Sequence, residues 1–527
     1  NDQSFWISVN DLKAYANAFY GLIPGGVSVL DDTDSDIQVP NNINSFLWGQ
    51  YVVPTEGGVW QKSSWQNIRN INYFMTHYQS VQAAEADVNI YVAEMRFFRA
   101  LEYFNKIQLL GDVPWLEVDL NVDSEELYGP KMKRNQVFQK IIEDLDFAIQ
   151  WLPEAGSEEA NRLNKDIARH VKARFCLNEG THYKYHDELE YASEAEKWLQ
   201  MAATESDKLI TSGRYEIYNT GHPQEDYFNM YRIDDKSDLK EAVLYVDYKT
   251  NIREHNMAAA GREAGCGFSK SFVESFLCSD GLPISLSNKY LGDETMRKET
   301  ANRDPRLKQL ILTNDFPTNV TDDLKDSTFV VNEDEFITQH CFTGYRPIKG
   351  FNPIYSQALY MKSSFDGIAY RYAETLLINA EAKAELNTIT NADLDRTVNQ
   401  LRDRVGMPHL TVNVGFTDPK WPDWGYSLSP VLQEIRRERC IELAGEGFRF
   451  NDLKRWKAGK LLNNVLTYVG KRKPDGNLAI VYPNYTNPDL SYQAGKSRTW
   501  EDKMYLYPIP TGELQRNPQL LPQNPGW

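Results

Sequence analysis

Cysteine is scarce in this chain: Cys176, Cys266, Cys278, Cys341 and Cys440 are the five among 527 residues. The count is odd and no Cys-x-x-Cys pair occurs, which argues against both a disulfide framework and a zinc knuckle. No stretch reaches the roughly 20 apolar residues that a membrane-crossing helix needs. Positive charge is in deficit, with 57 Lys and Arg against 74 Asp and Glu and a net charge of −17. That balance repels phosphate backbones and so disfavours nucleic acid. It also disfavours docking on anionic lipid through a basic patch. There is no Gly-x-Ser-x-Gly, no phosphate loop and no His-Glu-x-x-His, and no cofactor is expected.

Metal signals are equally thin. His182 and His186 stand four apart, but with no third ligand they read as a solvated helix end. The acidic loop from Asp31 to Asp36 lacks the glycine and the distal glutamate of a calcium-binding loop. No signal peptide is present, and Asn1 reads as a mature or truncated start.

Aromatics are what the chain has in excess: 12 Trp, 30 Tyr and 23 Phe. Tyr and Trp combine a flat apolar face with a polar handle. Sugar rings offer C–H faces that pack on such surfaces, so the composition suits a glycan binder. Most of these rings are nevertheless expected to fill a core. Hydrophobic residues at 41% and charged residues at 25% are ordinary for a globular protein.

The pattern along the chain is helical at both ends. Short helices are expected at Asp11 to Tyr20 and Ser64 to Tyr78. Longer ones are expected at Val88 to Leu110 and Asn135 to Leu152, where Val137, Ile141, Leu145 and Ile149 recur at steps of four. Ile167 to Gly180, Ala192 to Ser212, Ala369 to Leu386, Asn391 to Val405 and Pro430 to Gly445 follow. Helices in pairs suggest hairpins, but no clean 34-residue repeat emerges. Val27 to Gly58 is a long polar loop, with Asn41, Asn42 and Asn44 among its residues. Loops of that length are functional or disordered. Glu241 to Tyr248 alternates like a strand. Asn251 to Thr343 is mostly loop, with one helix at Lys270 to Cys278. The Pro-rich tail from Trp500 to Trp527 is expected to lie extended on the surface.

Several stretches resemble the SusD/RagB family, in the family's order. Ala93 to Trp115 (AEMRFFRALEYFNKIQLLGDVPW) resembles its Arg-Ala helix ending in Gly-Asp-Val-Pro. Leu209 to Ile217 (LITSGRYEI), Ser269 to Ile284 with its Asp-Gly-x-Pro turn, and Arg303 to Leu307 (RDPRL) follow. Tyr370 to Leu386, Asn399 to Leu410, Arg436 to Trp456 (RRERCIELAGEGFRFNDLKRW) and the tail Leu506 to Trp527 complete the match.

The resemblance implies a mainly α, SusD-like fold. Its parts are degenerate tetratricopeptide-type helical hairpins and a large loop-rich region with a few short strands. It implies one domain over residues 1–527. The scaffold would lie at about 1–30, 61–215 and 367–465, the ligand-facing loops at about 31–60 and 216–366, and the extended tail at 466–527. It implies a surface-exposed outer-membrane lipoprotein that passes an oligosaccharide to a SusC-like TonB-dependent transporter. The lipidated cysteine of the family is absent from this sequence. Peptide cargo is the alternative, and a glycoside hydrolase a more distant one.

The resemblance places ligand contacts in the variable loops. Asp34, Trp48, Tyr51 and Trp60 are the candidates in the first loop region, with Phe268 and Tyr290 near the Asp-Gly-x-Pro turn. No catalytic residue is expected. Arg436, Arg439, Glu442 and Glu446 recur at three or four residues, so opposite charges on one helix can meet. The reading is a partly buried ion network fixing the last helix pair. Glu442 and Glu446 as a catalytic carboxylate pair fit poorly, because neighbouring arginines would keep both ionised.

Overall fold

Helix boundaries follow the capping chemistry of the sequence. Ser429 accepts a hydrogen bond from the Leu432 amide, and Pro430 opens the helix Pro430–Glu442 where its missing N–H costs nothing. Thr390 and Asp393 form a reciprocal capping box. The structure is a computed structural model and describes residues 6–41, 44–260, 262–480 and 498–527. Asn42 of the polar loop and residues 481–497 of the tail lie outside them. The fold is mainly α, as the helical periodicity implies.

The chain divides into two compact units. The first comprises the residues up to Pro24, Tyr51–Phe175 and Glu501–Trp527. Its centre is the helix Glu85–Leu110, which packs against Arg134–Trp151, Gln66–His77 and Val9–Asn17. Met95, Phe98, Val137, Ile141 and Leu145 are all fully buried, each adding about 1.5–3 kcal/mol of hydrophobic stabilisation. Arg99 closes this pair with two bonds of 2.7 Å to the Asp144 carboxylate.

The tail departs from the extended surface course expected of it. Ile509 and Leu520 are buried, and Thr511–Arg516 is helical. The Asn524 amide donates to the Leu110 and Tyr507 carbonyls. Apolar anchors between the prolines hold the tail in this unit's core.

The second unit comprises Gly25–Gln50 and Cys176–Trp500. The helix Tyr372–Glu385 runs through its middle with thirteen of its fourteen residues buried. It packs on Ala192–Ser212 and Pro430–Glu442. Ala373, Ala380 and Ala384 are buried and allow the close approach that their small size implies. The Asn379 amide ties this helix to Ala203 and Ser206.

Two sequence expectations change here. The helix expected from Ala369 begins at Tyr372, because Gly367–Arg371 is a strand paired antiparallel with Ala242–Val246. The single helix expected over Asn391 to Val405 is two, Asn391–Asp395 and Val398–Arg404. Thr397 takes φ −130° and ψ −97° between them. Three further two-stranded sheets are described: Gln38–Pro40 with Cys266–Phe268, Asn319–Val320 with Ser327–Thr328, and Val469–Arg472 with Leu478–Ile480. The loop-rich stretch has its own apolar core, including Phe268, Phe272, Phe276, Leu307 and Leu310.

The charged stretch Arg436 to Trp456 does form an ion network, and Asp452 meets Arg455 at 2.9 Å one turn along the helix Arg449–Arg455. Most of its other partners come from distant segments. Glu442 meets Arg404 at 2.6 Å, Arg371 at 2.5 Å and Arg306 at 3.0 Å. Glu446 meets Lys349 and Arg371, Arg439 meets Asp452, and Arg436 meets Glu385. Glu446 lies beyond the helix, which ends at Glu442. Burial would raise the Glu442 carboxyl, but Arg404, Arg371 and Arg306 reverse this and hold it well below the carboxylate range. Burial likewise opposes ionisation of Glu446, and Arg371 and Lys349 overcome it.

His182 and His186 are also corrected. Both are buried, with rings stacked 4.0 Å apart, so they are not a solvated helix end. The His186 ring meets the Lys454 carbonyl at 2.8 Å and Glu188 at 2.9 Å. Among the described residues, no group of His, Cys, Asp or Glu is arranged to hold a metal ion. No described helix is long and apolar enough to cross a membrane.

Candidate functional site

Large side chains left in water are the informative ones in a protein that buries most of its aromatics. Tyr360 is 78% exposed and Tyr355 54% exposed, on either side of the 3-10 turn Ser356–Ala358 in the second unit. The sequence explains why this segment stays at the surface. Asn352 and Pro353 break regular structure before it, and the Asn352 side chain accepts from the Ile354 amide to fix the turn. Met361 follows in a left-handed conformation, φ +52°, and its amide donates to Asn256.

The turn is held against the hairpin Asn319–Val320/Ser327–Thr328. The Tyr355 amide donates to the Val320 carbonyl at 3.0 Å, and the Val320 amide to the Pro353 carbonyl at 2.8 Å. Asp322 accepts from the Ser356 amide at 2.9 Å. The side-chain and backbone hydrogen bonds from Ser356 hold that exposed carboxylate below its ordinary value. Arg262 lies with its guanidinium 5.8 Å from the centre of the Tyr355 ring and donates to the Asn319 amide oxygen at 2.9 Å.

The result is an exposed Tyr355 ring beside a guanidinium, with a primary amide and a carboxylate bonded to the same segments and a second exposed ring, Tyr360, a few residues on; we refer to it as the tyrosine platform. Such a surface can stack on the apolar face of a ring while its rim donates to and accepts from hydroxyls. The Asn352 side chain donates to that of Gln357 within the same segment. Buried His255 donates to the Phe365 carbonyl and accepts from the Met257 amide, which fixes the loop behind. Burial pushes its imidazole down to about 4.

The six residues nominated from sequence fare unequally. Phe268 is fully buried in the strand Cys266–Phe268, against Phe272 at 4.7 Å, and presents no surface to a ligand. Trp48 is 8% exposed and sits edge-on to Tyr468 at 5.5 Å. Both are core residues: all three residues of the strand Cys266–Phe268 are buried, and Trp48 lies in a turn whose residues 46–48 are buried together. Tyr290 is half-buried beneath Arg303, whose guanidinium lies 5.3 Å from its ring, and burial pushes its phenol up. Asp34 is exposed and accepts from the Asn44 amide.

Tyr51 and Trp60 belong to the first unit. Tyr51 is half-buried between Tyr507 and Trp527, at 5.8 and 5.7 Å. Trp60 sits edge-on to Trp65 at 5.2 Å. Sequence reasoning missed Tyr355, Tyr360 and Arg262. The available signal was two tyrosines in a stretch with neither helical nor strand periodicity.

A helical scaffold that carries an aromatic platform on a loop-rich region defines the class of the protein. Its residues 211–527 match the SusD family, and the chain belongs to that family. SusD-like protein P2 of Formosa agariphila is 25% identical over 456 residues, covering 84% of this chain and 75% of the relative. A SusD-like protein of Bacteroides fragilis has a solved structure that superposes with a TM-score of 0.76. It is 24% identical and covers 100% of this chain and 99% of its own. A second solved structure from that organism is described as a SusD-like carbohydrate-binding protein. It gives a TM-score of 0.72 at 20% identity, covering 98% of this chain and 100% of its own. A laminarin-binding SusD-like protein gives 0.58 at 20% identity, covering 99% of this chain and 100% of its own.

Proposed function

We propose that this protein captures oligosaccharides at the cell surface, with Tyr355 and Tyr360 as the stacking residues. Arg262, Asn319 and Asp322 supply hydrogen bonds to sugar hydroxyls. The observation that carries the reading is the pair of exposed tyrosines beside these polar groups, in a chain of the SusD family. Two solved structures of like fold are described as binding carbohydrate and laminarin, which supports the ligand class.

In this reading the protein is an outer-membrane lipoprotein of a nutrient uptake system, and it hands its ligand to a SusC-like TonB-dependent transporter. It binds and does not catalyse. Of Glu442 and Glu446, the carboxylate pair that sequence spacing offered for hydrolysis, the first is buried and the second partly exposed, and both are held ionised by arginine and lysine. Asp34, Tyr51, Trp60 and Tyr290 keep accessible atoms and are each proposed as separate contacts, to be tested singly.

A glycan array followed by titration tests the reading. Binding of an oligosaccharide that weakens about tenfold or more in a Tyr355→Ala/Tyr360→Ala variant supports it. Peptide binding with no glycan binding would overturn the ligand class. New reducing ends on incubation with a bound glycan would overturn the non-catalytic role.

A further inference from the structure

The helix Ala192–Ser212 ends at Gly213, which takes the left-handed conformation with φ +65°. The chain then turns into an extended segment carrying Tyr215, Glu216 and Asn219. Across from it stand Arg396 and two residues one turn apart on the helix Val398–Arg404, Gln400 and Asp403. The two sides enclose a cleft of about 520 Å³ within the second unit. That size lies within the range of small-molecule sites, about 300–1,000 Å³.

The cleft has an aromatic wall and a polar one. Tyr215 stacks on Tyr372 with ring centres 5.8 Å apart and planes 30° from parallel. Tyr372 is buried and fixed, its amide donating to the Glu241 carbonyl at 2.8 Å. Tyr215 is half-buried and rests on it. Burial pushes the Tyr372 phenol up to about 12, so it stays neutral at physiological pH.

Charge decides the ligand class. Besides the two phenols, three charged side chains line the cleft, and each already has a partner outside it. Arg396 meets Asp207 at 2.8 Å, Glu216 meets Lys240 at 2.9 Å, and Asp403 meets His409 at 2.7 Å. An anion or a cation would have to compete with these pairs. A neutral ligand with an apolar face and many hydroxyls would not. The Gln400 amide donates to the Arg396 carbonyl at 2.8 Å and the Asn219 side-chain oxygen accepts from the Gly221 amide at 3.0 Å, and each uncharged amide has further donor and acceptor capacity for a hydroxyl.

We propose that this cleft is a second saccharide subsite, in which a sugar ring stacks on Tyr215 and its hydroxyls bond to Gln400 and Asn219. The inference rests on the glycan-binding reading for its ligand class, but on none of the platform residues. A surface binder gains from a second weak site on one chain, because the two sites raise the effective concentration of a long glycan.

The test titrates maltotriose and laminaritriose against four proteins by ligand-observed NMR. These are the parent, Tyr355→Ala/Tyr360→Ala, Tyr215→Ala/Gln400→Ala and the combined variant. Unchanged thermal melting checks that each is folded, and Tyr215→Phe preserves the ring as a control. The expected result is residual binding in the platform variant that falls about fivefold or more in the combined one. If a trisaccharide binds the parent and the platform substitutions alone abolish that binding, the subsite is refuted and the platform reading stands. If only the Tyr215→Ala/Gln400→Ala change abolishes it, the platform reading fails and the subsite stands. Binding by neither trisaccharide refutes the subsite.

Discussion

Glu442→Gln is the perturbation that tests the ionic core most directly. Glu442 belongs to a network of ten side chains: Arg306, Arg371, Arg402, Arg404 and Lys349 against Asp304, Glu241, Glu438, Glu442 and Glu446. Five cations balance five anions, and all but Glu446 are almost wholly buried. Replacing Glu442 by its neutral isostere leaves one uncompensated cation in that interior. It also turns an amide N–H₂ toward guanidinium donors. Breaking a buried pair in this way costs about 3–5 kcal/mol. In a folded body of this size each kcal/mol moves the melting temperature by about 1–2 °C, so a fall of about 3–10 °C is expected.

Differential scanning calorimetry at neutral pH reads that shift. An exposed pair serves as control: Lys325→Gln breaks the contact with Asp323 and should move the melting temperature by less than about 1 °C. Acid provides a second check. Glu442 titrates below the ordinary carboxylate value in the folded state. Its contribution is therefore present above the unfolded value of 4.5 and is lost as pH falls below it. The gap between parent and variant should narrow on acidification. A Glu442→Gln protein that melts within about 1 °C of the parent at neutral pH would refute the reasoning.

Other consequences can be checked singly. Trp48→Ala should lower the melting temperature through loss of about 3–5 kcal/mol of core packing, as expected of a core ring and not of a ligand contact; an unchanged melt would return Trp48 to the surface. Gly367→Ala should fold poorly, because a Cβ there runs into the Gly25 carbonyl; normal soluble yield and melting would show that the strand edge yields. His255 binds its proton only near pH 4 when folded, against 6.5 unfolded. Its contribution is full above 6.5 and is lost as pH falls toward 4, so His255→Gln should flatten the parent's melting profile across that window; an identical slope in both proteins would exclude the role. Arg262→Met should weaken glycan binding about three- to tenfold with little change in melting, read by titration with whichever glycan the array identifies.

Much of the helical scaffold was legible because periodicity is a local property. Val137, Ile141 and Leu145 lie on one face of their helix and are all buried there. The strand Gly367–Arg371 was not legible, since no turn residue separates it from the helix that follows. The existence of an ion network could be read from alternating charge in Arg436 to Trp456, but its wiring could not. Arg306 reaches Glu442 across 136 residues of chain. Asp452 and Arg455 pair one turn apart as alternating charge suggests, but Arg436, Glu442 and Glu446 find their partners elsewhere in the chain.

The candidate site was the least legible part, and the reason lies in how burial is decided. Phe268 and Tyr360 are both aromatics in loop-rich sequence. Phe268 enters a strand whose partner, Gln38–Pro40, lies more than two hundred residues earlier, and the ring closes a core with Phe272. Tyr360 follows a turn pinned by Asn352, lies in no strand pairing among the described residues and is 78% exposed. Whether a loop aromatic is core or platform therefore depends on what the distant chain brings to it. Counting aromatics points to the loops, and only the assembled packing tells which rings are left over to meet a ligand.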